Sequence, residues 1–155
     1  MHQQEPPQEK IDSVIALYSN GQAQEALDSA EALIKDYPNE ALLHNICGAC
    51  YASLGQLDTA IKRYEKSLSI NPNYAEAHNN LAVTLQELGQ LEEAVESYVA
   101  ALDIKPDYAE AFNNLGIVLE ELGQLDTAVR SYEKVLAIKP DFAEAHHNLG
   151  IALQK

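Results

Sequence analysis

Apolar and polar residues alternate along much of the chain with the spacing of an amphipathic helix. In residues 112–119 apolar side chains fall at positions i, i+3, i+4 and i+7, and a second such stretch covers residues 128–135. Gly123 lies between the two stretches, where it can take the left-handed conformation that ends a helix. Asp126 follows it and can cap the next helix. This pattern predicts two helices joined by a short turn, an αα-hairpin.

The hairpin pattern recurs with a period of 34 residues. Four prolines keep this spacing, and so do four glycines: Pro38, Pro72, Pro106 and Pro140, then Gly21, Gly55, Gly89 and Gly123. Each proline ends a second helix because its ring cannot continue the backbone hydrogen-bond ladder. We therefore divide the single array 1–155 into repeats at 7–40, 41–74, 75–108 and 109–142, followed by a half repeat or capping helix at 143–155.

The repeated positions resemble the tetratricopeptide repeat, whose signature runs aromatic, Leu-Gly, Tyr, Ala, aromatic and Pro. The fourth repeat supplies Phe112, Leu115, Gly116, Leu119, Ala128, Tyr132 and Pro140 at these positions. The first repeat is degenerate, because Lys10 and Ser13 occupy positions that should be apolar, which suits a solvent-facing terminal repeat. The resemblance implies an all-α fold, a right-handed α-solenoid of helix-turn-helix repeats in which the first helix of each pair lines a concave groove.

Two asparagine columns run through the first helices. One contains Asn80, Asn114 and Asn148, and the column before it contains Asn45, Asn79 and Asn113. Asparagine costs roughly 0.5 kcal/mol relative to alanine inside a helix, so its recurrence needs a reason. We expect both columns to lie in the peptide-binding groove. The first column resembles the asparagine ladder of O-linked N-acetylglucosamine transferases, which implies amides that clasp a peptide backbone. The alternative is that the amides tie neighbouring helices together, and the sequence favours neither.

Apolar and acidic positions surround the asparagines. Ala49, Val83, Ile117 and Ile151 form an apolar column, which is typical of a binding surface but could be half covered by a neighbouring helix. Around it lie the glutamates Glu76, Glu87, Glu110, Glu120, Glu121 and Glu144. We expect the groove to bind a protein or peptide with apolar anchors and basic flanks. The alternative for any one glutamate is that it is a solvated surface residue that only keeps the protein in solution.

The charge balance and the missing motifs narrow the function further. Twenty-four acidic against ten basic side chains give a net charge of −14, which disfavours nucleic acid and anionic membranes as partners. The sequence has no apolar run of about 18 residues and no signal-peptide pattern at MHQQEPPQEK, so we expect a cytoplasmic protein. It contains no phosphate-binding loop, no nucleophile elbow and no zinc-protease motif. We expect no enzymatic activity, no cofactor and no metal.

Cys47 and Cys50 form a C-x-x-C sequence that elsewhere marks a redox dithiol or half of a zinc site. Cys47 occupies the column of Leu115, and Cys50 the column of Val118, both on a predicted first helix. Side chains three apart on a helix keep their Cβ atoms about 5–6 Å apart, whereas a disulfide needs about 3.8 Å. His44 lies about 9 Å from Cys50 along the helix axis, too far for one ion to bind all three. We expect the cysteines to be core residues.

The sequence predicts a noncatalytic scaffold that binds a peptide in the concave groove. Family members that hold a C-terminal carboxylate use lysines and arginines on first helices, and the first helices of repeats two to four contain neither. Two alternatives stay open. In the first alternative, the chain is the targeting segment of a larger glycosyl- or sulfotransferase. In the second, it is a self-associating module. The half repeat ends after one helix, so we expect either that the array continues in a longer protein or that a second copy covers this end, giving a homo-oligomer.

Overall fold

A computed structural model describes residues 5–155, which form nine α-helices and no β-strand. The helices are α1 Gln8–Ser19, α2 Ala23–Asp36, α3 Ala41–Ser53, α4 Leu57–Ile70, α5 Ala75–Glu87, α6 Leu91–Ile104, α7 Ala109–Glu121, α8 Leu125–Ile138 and α9 Ala143–Leu153. They form two compact units, the first ending at Asn73 with α1–α4 and the second covering Tyr74–Lys155 with α5–α9. Within each unit, helices pack against their neighbours along the chain. The predicted all-α solenoid of hairpins is confirmed. Among residues 5–155, no helix combines the length and the apolar character needed to span a bilayer.

The turn inside each hairpin is set by glycine. Gly123 has a φ of +77°, and its N–H donates to Glu120 O at 2.9 Å, while Gln124 N–H donates to Leu119 O at 2.8 Å. This pair of bonds is the Schellman ending of a helix, and it confirms the predicted role of Gly123. The turn is so short that α8 begins at Leu125, one residue after Gln124. The predicted cap at Asp126 is wrong, because Asp126 is already the second residue of α8.

A buried tyrosine of each second helix fills the interior of its hairpin in the second unit. Tyr132 of α8 is fully buried, and a Cβ atom added to Gly116 of α7 would lie only 2.4 Å from the tyrosine Cε1 atom. The Tyr132 hydroxyl donates to Glu120 Oε1 at 2.5 Å. Tyr98 of α6 is also fully buried and donates to Gln86 Oε1 at 2.9 Å. The small residue of the Leu-Gly pair therefore makes room for an aromatic ring of the same hairpin.

The hairpin of α1 and α2 in the first unit distributes the same volume differently. Val14 of α1 occupies the column of Gly116, and Ala30 of α2 occupies the column of Tyr132. Both are buried in one apolar cluster of the first unit. The larger side chain thus comes from the first helix instead of the second, while Lys10 and Ser13 point to solvent. The degenerate repeat keeps its core by exchanging a large and a small residue.

The two cysteines lie in the core of the first unit. Cys47 and Cys50 are free, fully buried residues of α3, as the column argument predicts. Burial raises the pKa of the Cys47 thiol to about 12 and that of Cys50 to about 11, so both stay protonated at neutral pH. His44 is also buried, and its Nε2 lies 2.8 Å from the carbonyl oxygen of Pro38. Its ring nitrogen is therefore engaged by backbone.

Candidate functional site

The first helices of the second unit expose one face. Residues at offsets of 4, 7 and 11 along a helix lie within about 60° of one another, so equivalent residues of α5, α7 and α9 share a surface. The helix pairs α5 with α7 and α7 with α9 are in contact. We call this surface the first-helix wall; it comprises Glu76, Asn80, Val83 and Glu87 of α5, Glu110, Asn114, Ile117 and Glu121 of α7, and Glu144, Asn148 and Ile151 of α9.

The two asparagine columns meet between neighbouring first helices. Asn148 Nδ2 donates to Asn113 Oδ1 at 3.2 Å, which joins α9 to α7. Asn113 is 2% exposed, whereas Asn148 is half-buried. A buried amide oxygen needs a donor, and the next repeat supplies it. At this position the asparagines tie helices together, which is one of the two roles that the sequence left open.

The equivalent contact one repeat earlier is not made. Asn79 is 6% exposed and forms a hydrogen bond with the Tyr108 hydroxyl, but its Oδ1 is a buried acceptor without a partner. Asn114 stands where Asn148 stands in the next repeat, yet it lies half-buried on the wall instead of bonding to Asn79. Asn114 therefore keeps part of its side chain accessible on the wall. Asn45 of the first unit is 8% exposed, so the whole earlier column offers little accessible surface.

The apolar column is partly accessible. Val83 and Ile117 are half-buried, and Ile151 is 39% exposed. Ala49 of the first unit is half-buried as well. The column is neither sealed into the core nor fully open, so each side chain keeps some apolar area to offer a partner.

The five glutamates of the wall are exposed and create a negative potential at three neighbouring tyrosines. Burial, followed by the charges of Glu76 and Glu110, raises the pKa of Tyr108 to about 12. Burial and then the charges of Glu121 and Glu87 raise the pKa of Tyr98, and burial, Glu120 and Glu144 raise that of Tyr132. Each of the five wall glutamates therefore acts on a neighbouring tyrosine.

Glu120 does not belong with these exposed glutamates. It is half-buried, accepts the Tyr132 hydroxyl, and forms an ion pair with Lys155 Nζ at 2.9 Å. Burial alone would raise its pKa, but the hydrogen bonds from Tyr132 and Lys155 and the lysine charge lower it overall. Glu120 is used inside the fold, and the acidic rim predicted from sequence is reduced by one residue.

A cavity of about 270 Å³ opens between α7 and the start of α9. It is lined by Glu110, Asn113, Asn114, Phe142 and Glu144. Two carboxylates, two amides and one aromatic ring thus face the same space. The residues that the structure describes include no basic partner for Glu110 or Glu144.

Sequence reasoning missed the aromatic residue of this cavity. Phe142 precedes α9 by one residue, and Tyr74 and Tyr108 stand at the same place before α5 and α7. The signal was present as an aromatic column, but the site prediction covered only residues inside the first helices. Asn79 and Tyr108 show that this column reaches the neighbouring first helix.

The sequence matches family models over most of its length. Models described as tetratricopeptide repeat match residues 73–141 and 14–40, and a model described as TPR repeat matches residues 48–89. No curated protein sequence matches the chain.

Solved structures share the fold. A crystal structure of MamA is 26% identical, with a TM-score of 0.82, and the match covers 91% of this chain and 82% of that one. The first TPR of Spaghetti (RPAP3), bound to the HSP90 peptide SRMEEVD, is 27% identical with a TM-score of 0.73, covering 74% and 91% of the two chains. The Pseudomonas aeruginosa protein pilF is 20% identical with a TM-score of 0.89, covering 95% and 67%, and this likeness concerns the fold alone.

Proposed function

The chain belongs to the tetratricopeptide repeat family, and we propose on that basis that it is a noncatalytic scaffold that binds a peptide segment along the first-helix wall of its second unit. The bound segment is extended, with its backbone against Asn114 and its apolar anchors against Val83 and Ile117. Basic residues of the peptide face the wall glutamates. Affinity comes from the protein's surface alone and needs no cofactor.

The observation that carries this proposal is the composition of the wall. Helices α5, α7 and α9 contain no lysine or arginine, while five exposed glutamates surround half-buried apolar side chains. Charge of one sign around an apolar strip raises the association rate of an oppositely charged partner and fixes its orientation. A peptide with apolar anchors and basic flanks matches both properties.

The RPAP3 structure supports peptide capture but a different peptide chemistry. Its ligand, SRMEEVD, ends in a segment rich in carboxylates. The same peptide would meet Glu76, Glu110 and Glu144 here, and like charges placed together oppose binding. We therefore expect this chain to prefer basic over acidic peptides.

A peptide array tests the proposal. Random nonapeptides on the array are probed with the wild-type protein, and soluble copies of the best binders are measured by fluorescence anisotropy. Asn114→Ala removes an amide that the fold does not use, so we expect helicity to be unchanged and affinity to fall about three- to tenfold, the value of one or two hydrogen bonds. The triple variant Asn80→Ala, Asn114→Ala and Asn148→Ala should abolish capture.

The matched control removes three other amides at one repeat spacing. Gln56, Gln90 and Gln124 precede the second helices, are exposed, and form no side-chain cap bond. Their triple alanine variant should bind peptides like the wild type. If the asparagine and glutamine variants capture peptides equally, the asparagines of the wall do not bind the peptide. An array on which acidic peptides bind best would contradict the expected preference for basic peptides.

Two further expectations from the sequence stay predictions. Self-association through α9 is compatible with the exposure of Leu153 and Ile151, and light scattering over a concentration series measures it. The role as a targeting segment of a transferase depends on sequence outside residues 1–155.

A further inference from the structure

The cavity between α7 and α9 has a counterpart in the preceding repeat. Tyr108, Glu76 and Asn79 stand there at the positions of Phe142, Glu110 and Asn113. The two places share an aromatic ring before a first helix, a glutamate on the previous first helix, and a buried asparagine beneath them. They differ in whether a lysine of the chain lies beside the ring and the glutamate.

The arrangement around Tyr108 and Glu76 already contains a cation. Lys105 Nζ lies 4.6 Å from the centroid of the Tyr108 ring and 4.0 Å from Glu76 Oε1. An ammonium over an aromatic face and beside a carboxylate gains from both the ring quadrupole and the opposite charge. The chain itself therefore shows which chemical group this arrangement accommodates.

Among residues 5–155, no lysine ammonium takes the equivalent position in the cavity between α7 and α9. Lys139 corresponds to Lys105, but across residues 5–155 it makes no ion pair and no contact with the Phe142 ring. A second carboxylate, Glu144, joins Glu110 at the same cavity. The volume of about 270 Å³ is enough for the end of a lysine or arginine side chain.

We propose that the cavity lined by Glu110, Asn114, Phe142 and Glu144 is a subsite for a lysine or arginine side chain of the bound peptide. The cation lies over the Phe142 ring between the two carboxylates. The peptide backbone then passes Asn114, and the next apolar anchor reaches Ile117 one helical turn away. This inference rests on the proposed function and gives the bound peptide a fixed basic position.

A small probe tests the subsite without any peptide. N-acetyl-lysine N-methylamide is titrated into isotope-labelled protein comprising residues 1–155, and the backbone amide signals of Phe142 and Glu144 are followed by NMR. N-acetyl-norleucine N-methylamide has a similar side chain without the charge and serves as the reference probe. We expect saturable shifts with the lysine probe and several-fold smaller ones with the norleucine probe.

The glutamate variants come as a matched pair. Glu110→Gln combined with Glu144→Gln should weaken binding of the lysine probe about five- to tenfold, because both carboxylates are exposed and contribute modestly each. Glu92→Gln combined with Glu93→Gln removes two exposed charges from α6, outside the wall, so it should leave the titration unchanged. Phe142→Leu keeps an apolar side chain and should weaken the lysine probe while sparing the norleucine probe.

Three results would overturn the subsite. Equal shifts with both probes would show that charge is not recognised. An unchanged titration in the double glutamine variant would place the probe elsewhere. Shifts that appear only in Lys139→Gln would assign the cavity to the chain's own lysine. Failure of the proposed function is recognised separately, by an array on which wild type and the Asn114→Ala variant retain no peptide or the same peptides.

Discussion

Gly116 and Gly150 occupy the same column of two first helices, yet the structure predicts opposite effects for their replacement by alanine. Neither glycine has a positive φ, so alanine is compatible with the backbone at both. A Cβ atom at Gly116 would lie 2.4 Å from Tyr132 Cε1 and 2.8 Å from Cζ, whereas at Gly150 it would meet nothing within 4 Å. Gly150→Ala should therefore gain only the helix propensity of alanine, about 0.5–1 kcal/mol.

The steric cost at Gly116 follows from the tyrosine's surroundings. Carbon atoms in contact prefer a separation of about 3.5–4.0 Å, so the overlap is about 1 Å. The Tyr132 ring is fully buried and its hydroxyl is bonded to Glu120, which restrains any movement away. Overpacking of this kind costs about 1–3 kcal/mol. Ala82 stands opposite Tyr98 in the preceding hairpin, so the spacing can adapt, and we expect a value near 2 kcal/mol.

The difference between the two variants isolates this steric cost, because the propensity gain is common to both. Urea unfolding followed by far-UV circular dichroism gives the free energy of unfolding for each. Gly116→Ala should be less stable than Gly150→Ala by about 2 kcal/mol, which corresponds to a melting temperature lower by about 4–8 °C for a chain of this size. Equal stability of the two variants would refute the packing of the tyrosine against the glycine.

Two further predictions concern protonation and reactivity. Tyr108 has its pKa raised to about 12, so its stabilising contribution is complete below the ordinary tyrosine pKa of about 10 and is lost as pH rises through 12. Its phenolate absorbance, taken as the difference between wild type and Tyr108→Phe, should appear near that pH, and appearance near pH 10 would contradict the burial and acidic surroundings. Cys47 and Cys50 should react with a thiol reagent slowly in the native protein and fast in urea. Both side chains are fully buried, and burial raises their pKa values to about 12 and 11. Rapid labelling of the native protein would show that α3 opens.

The local order of the molecule could be derived from the sequence alone. Helical spacing of apolar residues, a glycine at the end of each first helix, and a proline after each second helix are short-range signals with local physical causes. They predicted the hairpins, the burial of Cys47 and Cys50 on α3, and the left-handed Gly123, all of which the structure shows. The cap expected at Asp126 failed because the length of the turn depends on the hydrogen bonds of Gln124, which residue type does not reveal.

The accessibility of each repeated residue was decided by tertiary packing. Asn113 and Asn114 are adjacent and chemically identical, yet one is sealed between helices and bonded to Asn148 while the other lies on the wall. Glu120 and Glu121 are likewise neighbours, but Glu120 is half-buried and bonded to Tyr132 and Lys155, whereas Glu121 is exposed and accepts from Gln86 of α5. Neighbours on a helix point about 100° apart and therefore face different surroundings. Whether a column is buried or accessible depends on where the next helix packs. The sequence could name the columns, and the structure determined which of them a partner can reach.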